Sequence, residues 1–202
     1  MTAIHTRVGV FGGAFDPPHL AHAALVEAAI AQLGLDAVHV VPTGVAWHKM
    51  RALSHWQHRL TMTQLAFAAH PKVVVDDRET RRRGPSYTVE TLLELKTEMP
   101  TAGLFLIIGG DQASQFGTWH RWREVVKSAT ICVAERENSS LPDGEFPPPI
   151  ALEGGFLRLK MPLNPISATV IRARVANSEP IAALVGEPVA GYIAQHHLYL
   201  YT

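Results

Sequence analysis

Short apolar runs alternate along this chain with stretches whose apolar residues recur at helical spacing. Val8-Gly9-Val10-Phe11 reads as a buried strand, and Leu25, Ala28, Ala29 and Leu33 follow at the interval of one helix face. Residues 37–41 form a second strand, ended by Pro42. Residues 54–69 are helical, with Ser54 as the N-cap. Val73-Val74-Val75 is a short strand and 88–96 a helix. Residues 104–108 make the strongest strand, stopped by Gly109-Gly110. Strands at 130–134 and 156–160 follow, Ser167 caps a helix to about residue 175, and Pro188 opens a last one. Strands apolar throughout are buried on both faces, and their alternation with helices predicts an α/β fold. The expectation is a single Rossmann-like, doubly wound parallel sheet with helices on both faces and a short C-terminal helical region at about 166–202. The whole chain, 1–202, reads as one domain. The polar, proline-rich stretch 135–155 reads as a surface loop or a lid.

The first strand–turn–helix carries the chemistry. Val10-Phe11-Gly12-Gly13-Ala14-Phe15-Asp16-Pro17-Pro18-His19-Leu20-Ala21-His22 runs from a strand through two glycines and two prolines into a helix. Ligands of open α/β sheets bind at the carboxyl ends of strands, and a helix start offers N–H groups and a positive dipole end to anions. Gly12 and Gly13 let the backbone approach a phosphate, and the prolines are tolerated in a first helical turn. His19 and His22, three apart, share a face of that turn and point toward a phosphate chain over the helix end.

Other readings of the segment fit less well. A Walker loop needs Lys-Ser/Thr after its last glycine. A dinucleotide fingerprint needs Gly-x-Gly-x-x-Gly and an acid about 20 residues on. This chain has Gly-x-x-Gly-Gly, and its second strand ends Val41-Pro42-Thr43. A zinc pair would want His-Glu-x-x-His or a third ligand of clear spacing. His55 and His58 repeat the i,i+3 spacing without a glycine turn, so the spacing alone marks a solvated helix face.

Composition narrows the partners. Eighteen Lys+Arg balance eighteen Asp+Glu, so no global field draws the chain onto nucleic acid or an acidic membrane. No apolar run reaches the roughly 18–20 residues of a membrane span. The first seven residues lack the apolar stretch of a signal peptide. Cys132, the only cysteine, cannot form an internal disulfide or a cysteine-based zinc site. A cytoplasmic protein is expected. Eleven histidines keep metal binding worth testing.

A late segment, Ile166-Ser167-Ala168-Thr169-Val170-Ile171-Arg172, adds a second motif. Together the two resemble the nucleotidyltransferase superfamily, whose signature is His-x-Gly-His at a helix start with a late Ile-Ser-Ser-Thr-x-Ile-Arg. Trp47-His48-Lys49, His58-Arg59-Leu60-Thr61-Met62, Ser86-Tyr87-Thr88, Gly109-Gly110-Asp111, Thr118-Trp119-His120-Arg121-Trp122 and a tail from Tyr192-Ile193 to Leu198-Tyr199 extend the resemblance to the bacterial nicotinate-nucleotide adenylyltransferase family. Ala21 stands where that family has glycine, Ala168 where it has a second serine, and Ala46-Trp47 where it has prolines before His-Lys.

The resemblance implies that the 5′-phosphate of nicotinate mononucleotide attacks the α-phosphorus of ATP, giving nicotinic acid adenine dinucleotide and pyrophosphate in NAD biosynthesis. The attacking oxygen is already anionic, so positioning and charge stabilisation are what a protein must supply. It further implies His19, His22 and Arg172 as the catalytic set. Gly12, Gly13, Ala14, Phe15, His22, Gly109, Asp111, Ser167 and Arg172 would contact ATP, with Asp111 on the ribose or serving as a helix N-cap. Lys49, Ser86, Tyr87, Thr88 and Trp119 would contact the mononucleotide. Trp119 would stack on the pyridine ring, and Trp122, on a similar helix face, would pack. Mg²⁺ would be held mainly by substrate phosphates, with no protein metal site, and a homo-oligomer is compatible with the family. Arg81-Arg82-Arg83 reads as a solvated charge run. A different phosphate acceptor, a non-catalytic nucleotide sensor and a zinc protein are the rival readings.

Overall fold

The computed structural model describes residues 6–45, 52–136, 156–161 and 166–200. Six strands form one sheet in the order β3-β2-β1-β4-β5-β6. They are β1 (Arg7–Gly13), β2 (Ala37–Pro42), β3 (Val73–Val75), β4 (Gly103–Gly109), β5 (Thr130–Arg136) and β6 (Phe156–Met161). The β1–β4, β4–β5 and β5–β6 pairings are all parallel. Sequence order runs outward from β1 in both directions, which is the doubly wound arrangement the alternation predicts.

Helices connect the strands: α1 (Leu20–Leu33), α2 (Trp56–Phe67), α3 (Arg78–Arg81), α4 (Thr88–Glu98), α5 (Gly110–Ser114) and α6 (Trp122–Ser128). Three follow β6: α7 (Ala168–Ala176), α8 (Ala182–Val185) and α9 (Glu187–Gln195). Two local expectations are corrected. Helix α1 starts at Leu20, so Pro17 and Pro18 precede it instead of occupying its first turn. Helix α2 starts at Trp56 with His55 as its N-cap, because Ser54 is drawn into other bonds. Its N–H donates to Asp16 Oδ2 and its carbonyl accepts from Arg59 Nε. The four-residue α3 is too short to show a period in the sequence.

The chain folds as two compact units. One comprises Met1–Gly12, Val26–His39 and Tyr87–Asn164. Here β1 and β4 are in register from Arg7↔Gly103 to Val10↔Leu106, and every residue from Leu104 to Ile108 is buried. A side chain on Gly9 would meet Leu35 at 2.9 Å and Val38 at 3.0 Å, so this strand position is kept bare by close packing. Arg7 closes the unit's start: its N–H donates to Asp36, its Nε to the Leu33 carbonyl, and its guanidinium lies 4.5 Å from the Phe105 ring. At the sheet edge, the Gln32 amide donates to the Lys160 carbonyl at 2.9 Å and accepts from the Lys160 N–H at 3.0 Å.

The other unit comprises Gly13–Leu25, Val40–Ser86 and Pro165–Thr202. Its core joins Met62 of α2 to Ile171 of α7, Ile181, Val185 of α8, Val189 and Ile193 of α9, and Tyr199. Ser167 caps α7 as expected, accepting from the Val170 N–H at 3.3 Å. Helix α9 opens with Glu187-Pro188 after Gly186 at φ +82°, a conformation that favours glycine.

Candidate active site

His19 is the last residue before α1, and His22 lies in its first turn. The His22 N–H bonds to the His19 carbonyl at 2.8 Å, and the His19 N–H donates to His22 Nδ1 at 3.1 Å. The second bond is one half of a capping box, with an imidazole in the place of the usual carboxylate or amide. The two rings stack 3.7 Å apart at 20°, and the Phe15 ring meets His22 edge-on at 5.1 Å. An accepting Nδ1 must carry a lone pair, so the neutral ring of His22 has its proton on Nε2.

Burial sets the charge of this pair. His19 is 8 % exposed, and burial lowers its imidazole to about 4. Burial first, and the neighbouring His19 second, hold His22 well below the ordinary imidazole range. At neutral pH both rings are uncharged hydrogen-bonding groups and not cations. His19 Nδ1 is buried without a hydrogen-bond partner, a condition uncommon in native folds away from functional places.

Arg172 brings a cation to this region. Its Nη1 donates to the Asp16 carbonyl at 2.8 Å and its Nη2 to Thr169 Oγ1 at 3.2 Å. Asp16 is three residues before His19, so the two distant motifs are joined by a direct hydrogen bond. Asp16 is only 2 % exposed. Its Oδ1 accepts from the Tyr199 hydroxyl at 2.6 Å and its Oδ2 from the Ser54 N–H at 3.2 Å. Burial, then the Asp16 charge, pushes the Tyr199 phenol far up, so it remains a donor.

Arg59, 1 % exposed, holds the glycine turn from behind. Its Nε, Nη1 and Nη2 donate to the carbonyls of Ser54, Ala14 and Gly44 at 2.9, 2.9 and 3.2 Å. Only a planar guanidinium fork reaches three such acceptors at once. Gly12 and Gly13 differ in what they allow. A Cβ on Gly12 would meet nothing within 4 Å, whereas one on Gly13 would touch the Phe15 ring at 3.0 Å. Phe15 itself is buried at φ +48°, in the left-handed region that non-glycine residues rarely adopt.

In the same unit, the Ser86 hydroxyl accepts from the Gly44 N–H at 3.2 Å, which ties it to loop geometry. Arg81 pairs with Asp77 at 2.9 Å, both exposed, as a solvated charge would. Lys49 lies outside the described residues.

The other unit carries the remaining predicted contacts. Gly109 ends β4, and Asp111 is exposed as the second residue of α5, so the N-cap role falls to Gly109 and not to Asp111. Trp119 and Trp122 do not share a helix face. Trp119 follows a 3₁₀ turn (Phe116–Thr118), Arg121 takes a left-handed conformation at φ +52°, and Trp122 opens α6. Both indoles instead flank the buried Phe116, at 5.1 Å and 6.4 Å between centroids. Tyr87 packs its ring 4.2 Å from that of His120, which brings the Ser-Tyr-Thr and Trp-His-Arg-Trp segments together, and Thr88 begins α4.

Sequence reasoning passed over Asp16, Arg59 and Tyr199 as site builders. The signal for the first was its place beside the prolines, and for the others their presence in the matching segments.

Residues 10–174 match the Cytidylyltransferase-like family. A protein of Albidiferax ferrireducens, named "Probable nicotinate-nucleotide adenylyltransferase", is 58 % identical over 193 residues, covering 96 % of this chain and 98 % of its own. A protein of the same name from Methylibium petroleiphilum is 40 % identical over 201 residues, covering 96 % and 92 %. Among solved structures, the Plasmodium falciparum nicotinic acid mononucleotide adenylyltransferase complexed with NaAD is similar in fold, with a TM-score of 0.81 at 19 % identity over 98 % of this chain and 99 % of that one.

Proposed function

The chain belongs to the nicotinate-nucleotide adenylyltransferase family, and from that premise we propose that it joins nicotinate mononucleotide to the adenylyl group of ATP. The 5′-phosphate oxygen of the mononucleotide attacks the α-phosphorus. The bond from that phosphorus to the bridging α,β-oxygen breaks, and its electron pair leaves with pyrophosphate. The dinucleotide is nicotinic acid adenine dinucleotide, a step of NAD biosynthesis, and the free, buried Cys132 suits a cytoplasmic setting.

One observation carries this reading: the Arg172 guanidinium is bonded to the Asp16 carbonyl, three residues before the stacked His19 and His22. A fork-shaped cation and imidazole N–H groups at one helix mouth suit a pentacovalent phosphorus whose charge spreads over its oxygens. His22 donates from Nε2 to the α-phosphate, and His19 assists. Arg172 clamps the β- and γ-phosphates, and the N–H groups of Gly13, Ala14 and Phe15 face the α-phosphate. Gly12 leaves room for the chain of phosphates beside the turn. On the resemblance, Ser167 and Gly109 join the ATP contacts and Asp111 takes the ribose hydroxyls. Lys49, Ser86, Tyr87, Thr88 and Trp119 take the mononucleotide, with Trp119 on the pyridine ring.

Among the described residues, no group of three or more His, Cys, Asp or Glu could hold a metal ion. We place Mg²⁺ with the triphosphate, as part of the substrate. Bound there, it would neutralise phosphate charge.

The deciding experiment incubates the protein with ATP, Mg²⁺ and equal nicotinate and nicotinamide mononucleotides, and identifies products by mass spectrometry. Nicotinic acid adenine dinucleotide with stoichiometric pyrophosphate is expected to dominate. Preference for the amide, or for phosphopantetheine in a parallel assay, would move the assignment to another acceptor. Binding without pyrophosphate release would make the protein a sensor.

A further inference from the structure

The tail residue Tyr199 is far from the chemistry in sequence and close to it in space. Its side chain is buried among Met62, Ile171 and Ile193 in the C-terminal core, yet its hydroxyl donates to Asp16 Oδ1 at 2.6 Å. Asp16 is thereby held from three sides: Tyr199 on one carboxylate oxygen, the Ser54 N–H on the other, and Arg172 Nη1 on the carbonyl. From Asp16 the chain reaches His19 through Pro17 and Pro18, whose rings fix two successive φ angles. Few soft dihedrals separate the anchor from the imidazoles, so a shift at Asp16 is carried to His19 and, through the His19 N–H, to His22 Nδ1.

We propose that Tyr199 is a positioning residue for adenylyl transfer: its hydroxyl anchors Asp16, and that anchor sets the placement of His19 and His22 through the Pro17-Pro18 segment and of Arg172 through the Asp16 carbonyl. The proposal rests on the function read above. A second tail hydroxyl supplies a matched comparison. Tyr192 OH lies 3.0 Å from His58 Nδ1, on the contact of α9 with α2. If tail docking alone mattered, losing either hydroxyl would act alike.

The test compares wild type, Tyr199→Phe, Tyr192→Phe, Asp16→Asn and the Tyr199→Phe/Asp16→Asn double variant. Each is measured for kcat, for KM of ATP and mononucleotide, for thermal midpoint, and for the ¹⁵N shifts of the histidine rings. Tyr199→Phe is expected to lower kcat by about ten- to a hundredfold, the scale of a small misplacement, with KM changed far less. The double variant should be no slower than Asp16→Asn alone, since one hydroxyl acts through one carboxylate. The His19 and His22 shifts should move in Tyr199→Phe and stay in Tyr192→Phe, which should keep wild-type kcat. Additive losses, equal losses in both tyrosine variants, or unchanged histidine shifts overturn the proposal. Wild type failing to make the dinucleotide would refute the functional reading instead, and the histidine shifts would still decide the positioning.

Discussion

The backbone N–H of His19 donates to Nδ1 of His22 at 3.1 Å, so one imidazole caps the helix that presents it. That bond fixes which nitrogen carries the proton. In the proposed reaction the two histidines would then act as oriented neutral donors, and the guanidinium of Arg172 would supply positive charge. The division of labour suits a reaction between two polyanions: charge attracts them, and directed N–H groups distinguish the crowded phosphorus of the transition state from the ground state.

Replacing His22 by alanine removes one such donor. The expected loss in kcat is about 10²–10³, or roughly 3–4 kcal/mol, with a further loss of stability of about 1 kcal/mol from the missing cap. Steady-state pyrophosphate release, set beside a urea melt, separates the two effects. Wild-type turnover in His22→Ala would remove this residue from the mechanism.

Stability should depend on pH through the same pair. His19 titrates near 4 in the fold and near 6.5 in the unfolded chain, so between those values the unfolded state binds more protons. The stabilisation is complete above about pH 6.5 and is lost as pH falls toward 4. For His19 the full swing is on the order of 3 kcal/mol, and His22 shifts in the same direction. Urea unfolding at pH 7, 6 and 5 should show a shallower decline in His19→Gln than in wild type. Parallel curves would mean that His19 is not the titrating group.

Arg59 is expected to be structurally indispensable. Lysine keeps the charge but cannot span the Ser54, Ala14 and Gly44 carbonyls, leaving buried acceptors unpaired. Arg59→Lys should cost about 3 kcal/mol or more and lower the melting temperature by roughly 6–12 °C. Calorimetry checks this directly, and a shift under about 2 °C would show that the turn is held by other means.

Gly44 is sterically forced. A Cβ there would lie 2.1 Å from the Glu79 carbonyl oxygen and 2.9 Å from Ser86 Oγ. Gly44→Ala should destabilise by at least about 1–3 kcal/mol, the range for overpacking, and should disturb the Gly44–Ser86 hydrogen bond. The companion Gly12→Ala has open space around it and should leave the melting temperature unchanged while weakening ATP binding. A calorimetric comparison of the two, with ATP titrations, tests both halves.

What could be read from the sequence was local. The glycines that end β1, the Ser167 cap and the parallel alternation all depend on neighbours in the chain, and the structure has them where expected. Ser54 looked like a cap on the same logic. It fails as one because its carbonyl accepts from the Arg59 guanidinium, so the first helical N–H groups turn to the His55 carbonyl, while Asp16, 38 residues away, takes its N–H. The anchor between Asp16 and Tyr199 spans 183 residues, and no periodicity reports such a contact. Trp119 and Trp122 show a further limit: a three-residue interval suggests one face only if a helix joins them, and the left-handed Arg121 interrupts it.

Gln32 has a consequence for how the molecule behaves in a crowd. Strand β6 ends the sheet, and an open strand edge is a template on which a second copy can polymerise. At Lys160 the side-chain amide of Gln32 supplies both the donor and the acceptor that an incoming strand would bring. A single helical side chain thus imitates a peptide group and occupies that pair of edge groups.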